Sequence, residues 1–197
     1  SYISRNLETV VENVTREYPV VLVTGPRQVG KTTMLQKLMK NHPRSYVTLD
    51  DLTERDLAKN DPELFLQLHK PPILIDEVQY APELFTYIKI YVDSHQEPGA
   101  FWLTGSQIFK LMRGVQESLA GRVAVLSMTS LSQSEMSGAP MSPFKINLDS
   151  LLSREKQRTK TDTHGIFERI YKGSMPAIAS EINTNSQIFY SSYLSTY

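Results

Sequence analysis

Two stretches of this sequence carry residue types at spacings suited to phosphate chemistry. The first is Gly25-Pro26-Arg27-Gln28-Val29-Gly30-Lys31-Thr32, followed by Thr33. It reads G-x-x-x-x-G-K-T between an apolar run, Val20 to Val23, and a helix-like pattern, the strand–loop–helix setting of a phosphate-binding loop. Gly25 and Gly30 let the backbone turn tightly, so successive N–H groups can face phosphate oxygens. A helix starting near Lys31 adds the positive end of its dipole. The Lys31 ammonium can reach β- and γ-phosphates, and the Thr32 hydroxyl can ligate Mg²⁺. The second stretch is Ile73-Leu74-Ile75-Asp76-Glu77. Asp76 can orient a Mg²⁺ shell, and Glu77 can polarise a water for in-line attack on phosphorus.

Both stretches need a sheet to bring them together. Ile73 to Ile75 is apolar without alternation, which suits a central parallel strand covered on both faces. Its acids then stand at the carboxyl end, where open α/β sheets bind ligands. Ala100 to Leu103 forms another buried strand, ending in Thr104-Gly105-Ser106-Gln107. For Thr104 or Ser106 to hydrogen-bond an attacking water or a γ-phosphate, this strand must neighbour the acidic one. It therefore inserts between the acidic strand and the lysine-loop strand. Ser106 is equally a candidate helix N-cap. Tyr46 to Asp50 is a short strand, and Val123 to Leu126 a fifth. Arg122, entering that last strand, is a surface residue or a guanidinium that could reach a γ-phosphate across a subunit interface.

Helices fill the intervals. Residues 1–18 place Ile3, Leu7, Val10, Val11 and Val14 on one face, with Arg5 at the start as a surface charge or a group facing the nucleotide. Leu35, Leu38 and Met39 form the buried side of the helix after the loop. Asp50-Asp51 could hold a water or a metal-bound water near the phosphate site, or Asp51 with Glu54 could cap the next helix, and Asp61-Pro62 starts a new helix. Leu84, Phe85, Ile88 and Val92 face inward from the helix over 82–92. This order of parts predicts an α/β fold with a five-stranded parallel sheet and right-handed crossovers.

Composition narrows the classes. The 197 residues hold 21 Lys+Arg and 21 Asp+Glu, so net charge gives no general case for nucleic acid or anionic membrane. With no cysteine there is no disulfide, thiolate nucleophile or Cys-based zinc site. No apolar run approaches the ~20 residues of a membrane span. The nucleotide motif points to the cytoplasm. We expect an ATPase-like domain over 1–135, a flexible linker over 136–165, and at 166–197 the start of a helical domain that continues beyond Tyr197. Residues 187–197 are expected to be helical, with Ile188, Phe189, Tyr193 and Leu194 apolar.

GPRQVGKTT at 25–33, DPELFL at 61–66, ILIDEVQ at 73–79, LTGSQ at 103–107 and SLAGR at 118–122 together resemble a prokaryotic family of AAA+ ATPases. The resemblance implies a P-loop NTPase fold of three layers, α/β/α, that binds ATP and Mg²⁺. It implies that Lys31 and Thr32 are the Walker A lysine and Mg²⁺ ligand, and that Asp76 and Glu77 are the Walker B pair. It also implies a sensor role for Ser106, which is Ser where many such proteins have Asn, and an arginine finger at Arg122 acting between subunits of a homo-oligomer. A C-terminal domain of unknown function follows in that family, and the partner it implies is a protein or a nucleic acid. Mg²⁺-dependent ATP hydrolysis driving a conformational change is the first expectation. An ATP-gated interaction switch with little hydrolysis is the second. A small-molecule kinase would need an Arg-rich lid, which the sequence does not show.

Overall fold

The computed structural model describes residues 2–106, 108–138, 162–180 and 190. The chain divides into two compact units, Arg5–Thr129, and Ser1–Ser4 with Ser130–Tyr197.

In the larger unit, five parallel strands run in the order β2-β3-β4-β1-β5: β1 Val20–Thr24, β2 Ser45–Thr48, β3 Ile73–Asp76, β4 Phe101–Gly105 and β5 Val123–Ser127. As the chemistry required, β4 is inserted between the lysine-loop strand and the acidic strand. Every residue of β1, β3 and β4 is buried, which explains their unbroken apolar runs. The edge strand β5 is only half-buried, with Val125 40% exposed.

Helices α1 Leu7–Thr15, α2 Lys31–Leu38, α3 Leu52–Asn60, α4 Pro62–Leu68, α5 Leu84–His95 and α6 Ile108–Ser118 cover the sheet. One core joins Leu22, Ile75, Phe101 and Leu103 to Phe65, Leu84, Phe85 and Ile88. Each such aromatic or aliphatic side chain contributes about 1.5–3 kcal/mol by leaving water. The alternate residues of the strands face the other side. There Trp102 donates from Nε1 to Thr15 Oγ1 of α1 at 3.0 Å, while the Arg44 guanidinium lies 3.4 Å from the indole centroid. The result is the anticipated three-layer α/β/α arrangement.

Local signals held at the caps. Asp51 accepts from the N–H groups of Thr53 and Glu54, and Asp61 from that of Leu64. The first helix is shorter than expected, and Val10 is 37% exposed. It sits on the solvent side because Val11 and Thr15, four residues apart, define the buried stripe.

The smaller unit contains α7 Gln133–Ser137, closed by a Ser132–Glu135 capping box, α8 Thr163–Lys172, capped by Asp162, and α9 Pro176–Ala179. The Leu131 N–H donates to the Ser174 carbonyl at 2.9 Å. The division after Thr129 precedes the boundary expected at 135. Most of the expected linker, 139–161, lies outside the described residues, as does the helix expected over 187–197 apart from Tyr190. Gln107 lies outside them too. Among the described residues no helix is long and apolar enough to cross a membrane.

Candidate functional site

The loop after β1 turns where only glycine fits. Gly25 has φ +146°, and a Cβ there would collide with the Met128 carbonyl oxygen. Gln28 and Gly30 also take positive φ, at 61° and 94°. Pro26, Arg27 and Gln28 are exposed at the rim, whereas the Val29 side chain is 1% exposed and anchors the loop in the core. Gly30 hands over to α2 at Lys31. The Lys31 ammonium, on a side chain 5% exposed, donates to the carbonyls of Gly25 at 2.9 Å and Pro26 at 2.7 Å. Thr33 is exposed on the first turn. Arg27 donates to the Tyr80 hydroxyl at 2.9 Å, and the Arg55 guanidinium lies 3.8 Å from the Tyr80 ring centroid.

Arg5 is not a surface charge. It is 8% exposed, and its guanidinium donates to the carbonyls of Val29 and Thr129, each at 2.7 Å. It ties the phosphate loop to the chain leaving β5. A lone Arg before a helix carries no sequence signal for this, since its partners are backbone atoms distant in the chain.

Asp76 ends β3 and is 6% exposed. Its Oδ1 accepts from Thr32 Oγ1 at 2.6 Å and from Thr104 Oγ1. Its Oδ2 accepts weaker bonds from Tyr46 at 3.4 Å and Thr48 at 3.5 Å. Thr104, offered above as a water ligand, is fully buried. Its hydroxyl is committed to Asp76 and to the Glu77 N–H at 3.0 Å. One threonine on β4 thus fixes both acids.

Glu77 follows at φ 59°, ψ 46°, a left-handed turn that swings its carboxylate toward the tip of β4. Its Oε2 accepts from Ser106 Oγ at 3.0 Å and from Gln79 Nε2. Gln79, in the 3₁₀ turn Val78–Tyr80 and 5% exposed, also donates to Ser106 Oγ at 3.0 Å. Sequence reasoning gave Gln79 no role. Its only trace was its place in the stretch at 73–79.

The fold thus assembles Lys31, Thr32, Asp76, Glu77 and Ser106 around one end of the sheet. Arg122 stands at the other, where its carbonyl accepts from the Val20 N–H at the start of β1. Its guanidinium grips Asp93 with Nε to Oδ1 at 2.5 Å and Nη2 to Oδ2 at 2.9 Å. That pairing raises the Arg122 pKa and lowers that of Asp93, through the hydrogen bond foremost.

The Thr32 hydroxyl and Asp76 carboxylate offer two hard oxygens beside the loop. Mg²⁺ is held by such oxygens, one or two from carboxylates, together with substrate phosphates and water. The donor set fits that ion.

The sequence profile of the AAA domain family matches residues 17–137. The uncharacterized proteins Rv2008c of Mycobacterium tuberculosis and Mb2031c of Mycobacterium bovis are each 40% identical over 114 residues, 57% of this chain but 25% of theirs. The chain therefore matches only a quarter of the length of these relatives. Among solved structures, the Walker-type ATPase PABY2304 of Pyrococcus abyssi superposes with a TM-score of 0.58 at 15% identity, covering 94% of this chain and 69% of the other. A DNA replication initiation factor gives 0.52 at 14%, covering 89% and 57%. Domain III of the Thermotoga maritima replication initiation protein DnaA gives 0.50 at 14%, covering 92% and 83%. At these identities the likeness is one of fold.

Proposed function

The chain belongs to the AAA domain family, and on that premise we propose that its Arg5–Thr129 unit binds ATP with Mg²⁺ and hydrolyses it, driving or timing a conformational change. The observation that carries the reading is the meeting of Thr32 Oγ1 and Asp76 Oδ1 at 2.6 Å, with Glu77 the next residue. It joins the phosphate loop to a base.

In this reading the backbone N–H groups of residues 27–33 cradle the phosphates. Lys31 gives up the Gly25 and Pro26 carbonyls for β- and γ-phosphate oxygens. Thr32 and Asp76 would hold Mg²⁺, which would supply charge neutralisation at the phosphates. Glu77 accepts a proton from the attacking water, and Ser106 donates to a γ-phosphate oxygen. Arg122 serves a neighbouring copy's site, because its own lies at the other end of the sheet. Such chemistry belongs where Mg–ATP is abundant, in the cytoplasm.

Glu77→Gln tests the assignment. Turnover should vanish while a labelled ATP analogue still binds. A variant as fast as the parent would remove Glu77 from the role.

Arg122's engagement with Asp93 favours a second reading, an ATP-gated interaction switch that hydrolyses little. Tight ATP binding with negligible turnover at every protein concentration would select it.

A further inference from the structure

Gln79 is buried and polar, and neither the phosphate loop nor the acid pair explains it. Its carboxamide is used at both ends. Nε2 donates to Glu77 Oε2 and to Ser106 Oγ, and Oε1 accepts the Ser106 N–H at 3.4 Å. That backbone contact fixes which end of the amide faces the base. Room for it comes from Gly105, where a Cβ would stand 3.2 Å from Gln79 Oε1 and collide with the Leu111 side chain.

The proton count makes this triangle informative. A serine hydroxyl has one proton to donate, whereas a carboxamide has two. Ser106 donates its proton to Glu77 Oε2 at 3.0 Å, so it cannot donate the same proton to a phosphate oxygen. Gln79 can hold Glu77 and Ser106 at once.

We propose that Gln79 is a positioning residue that couples Ser106 to Glu77. When a γ-phosphate oxygen takes the Ser106 proton, Glu77 Oε2 loses one of its two donors and gains a free lone pair for water. Gln79 remains as the donor that aims the carboxylate, and its second N–H keeps Ser106 in register. The proposal rests on the ATPase reading above.

The test uses the full chain with Mg–ATP and three variants: Gln79→Met, Gln79→Glu and Ser106→Ala. Gln79→Glu keeps the shape and the acceptor for the Ser106 N–H, but sets a carboxylate against Glu77. Both Gln79 variants should lower kcat by about 100-fold, the scale of a misaimed reacting group. KM and the affinity for a labelled ATP analogue should stay within about twofold of the parent. Because the two residues act through one carboxylate, Gln79→Met should cost far less in the Ser106→Ala background than alone.

A merely structural role would move analogue affinity along with kcat, and that result overturns the proposal. So do variants that hydrolyse like an active parent, or effects that simply add, both leaving the ATPase reading intact. A parent that binds ATP but never turns it over removes the Gln79 role and leaves the binding reading standing. A parent that does not bind ATP removes both.

Discussion

Thr32, on the first turn of α2, donates from Oγ1 to Asp76 Oδ1 at the end of β3 at 2.6 Å, across 44 positions of sequence. The bond exists because β4 spaces β1 from β3 and Thr104 holds the same carboxylate oxygen from below. Neither residue could be placed without the sheet order.

Asp76 variants should separate metal binding from packing. Asp76→Asn keeps an oxygen for the threonine hydroxyls but weakens the Mg²⁺ site, so turnover should fall and need more Mg²⁺ to saturate, measured by titrating Mg²⁺ after chelation with EDTA. Asp76→Ala should in addition strand buried hydroxyls, costing about 1–3 kcal/mol. That corresponds to roughly 2–4 °C of Tm for each kcal/mol in a chain of this size.

Gly25→Ala probes the loop itself. The backbone there has φ +146°, and the added methyl would meet the Met128 carbonyl. Left-handed strain alone costs about 1–3 kcal/mol, and the collision must be relieved by moving the loop. Calorimetric Tm should fall, and equilibrium titration should show nucleotide binding lost. Parent-like binding would mean that the loop tolerates a displaced entry.

What could be read in advance follows from where the signal resides. Ile73–Asp76 and Val20–Thr24 are buried along their whole length, so their apolar runs announced central strands. The place of β4 followed from requiring its tip to meet the acids. Arg5, Thr104 and Gln79 were misread or passed over because each acts on atoms far away in sequence. Arg5 holds Val29 and Thr129 carbonyls, Thr104 holds Asp76, and Gln79 bridges to Ser106. A side chain's periodicity reports its burial, not its distant partner. Val10 was misplaced for a related reason. In a helix of only 9 residues, one apolar stripe can be drawn two ways, and packing chooses.

Arg5 should matter to the loop more than its position before α1 suggests. Arg5→Ala leaves the Val29 carbonyl without this buried donor, an expected loss of about 1–3 kcal/mol. Arg5→Lys keeps the charge but not the fork that reaches two carbonyls at once, and should fall between parent and Ala. Nucleotide affinity, followed by fluorescence titration, should decline in the same order, because the tether holds the loop that binds phosphate.

Arg122 has two measurable properties. Its hydrogen bond, with its charge behind it, holds the Asp93 carboxyl below its ordinary pKa. A depressed acid stabilises the fold above its unfolded pKa, and that contribution is lost as pH falls through the folded value. The parent should therefore melt slightly above Arg122→Ala at neutral pH, and the gap should close on acidification below the carboxylate range. Activity tests the other property. Because the guanidinium lies at the opposite end of the sheet from Lys31 and Glu77, service to a phosphate has to come from a second copy. Specific ATPase activity should rise with protein concentration, and Arg122→Ala should remove the rise while leaving nucleotide affinity unchanged. Asp93→Ala, which frees the guanidinium, should preserve it. Activity independent of concentration and indifferent to Arg122→Ala would make the pair a surface ion pair and the ATPase self-contained.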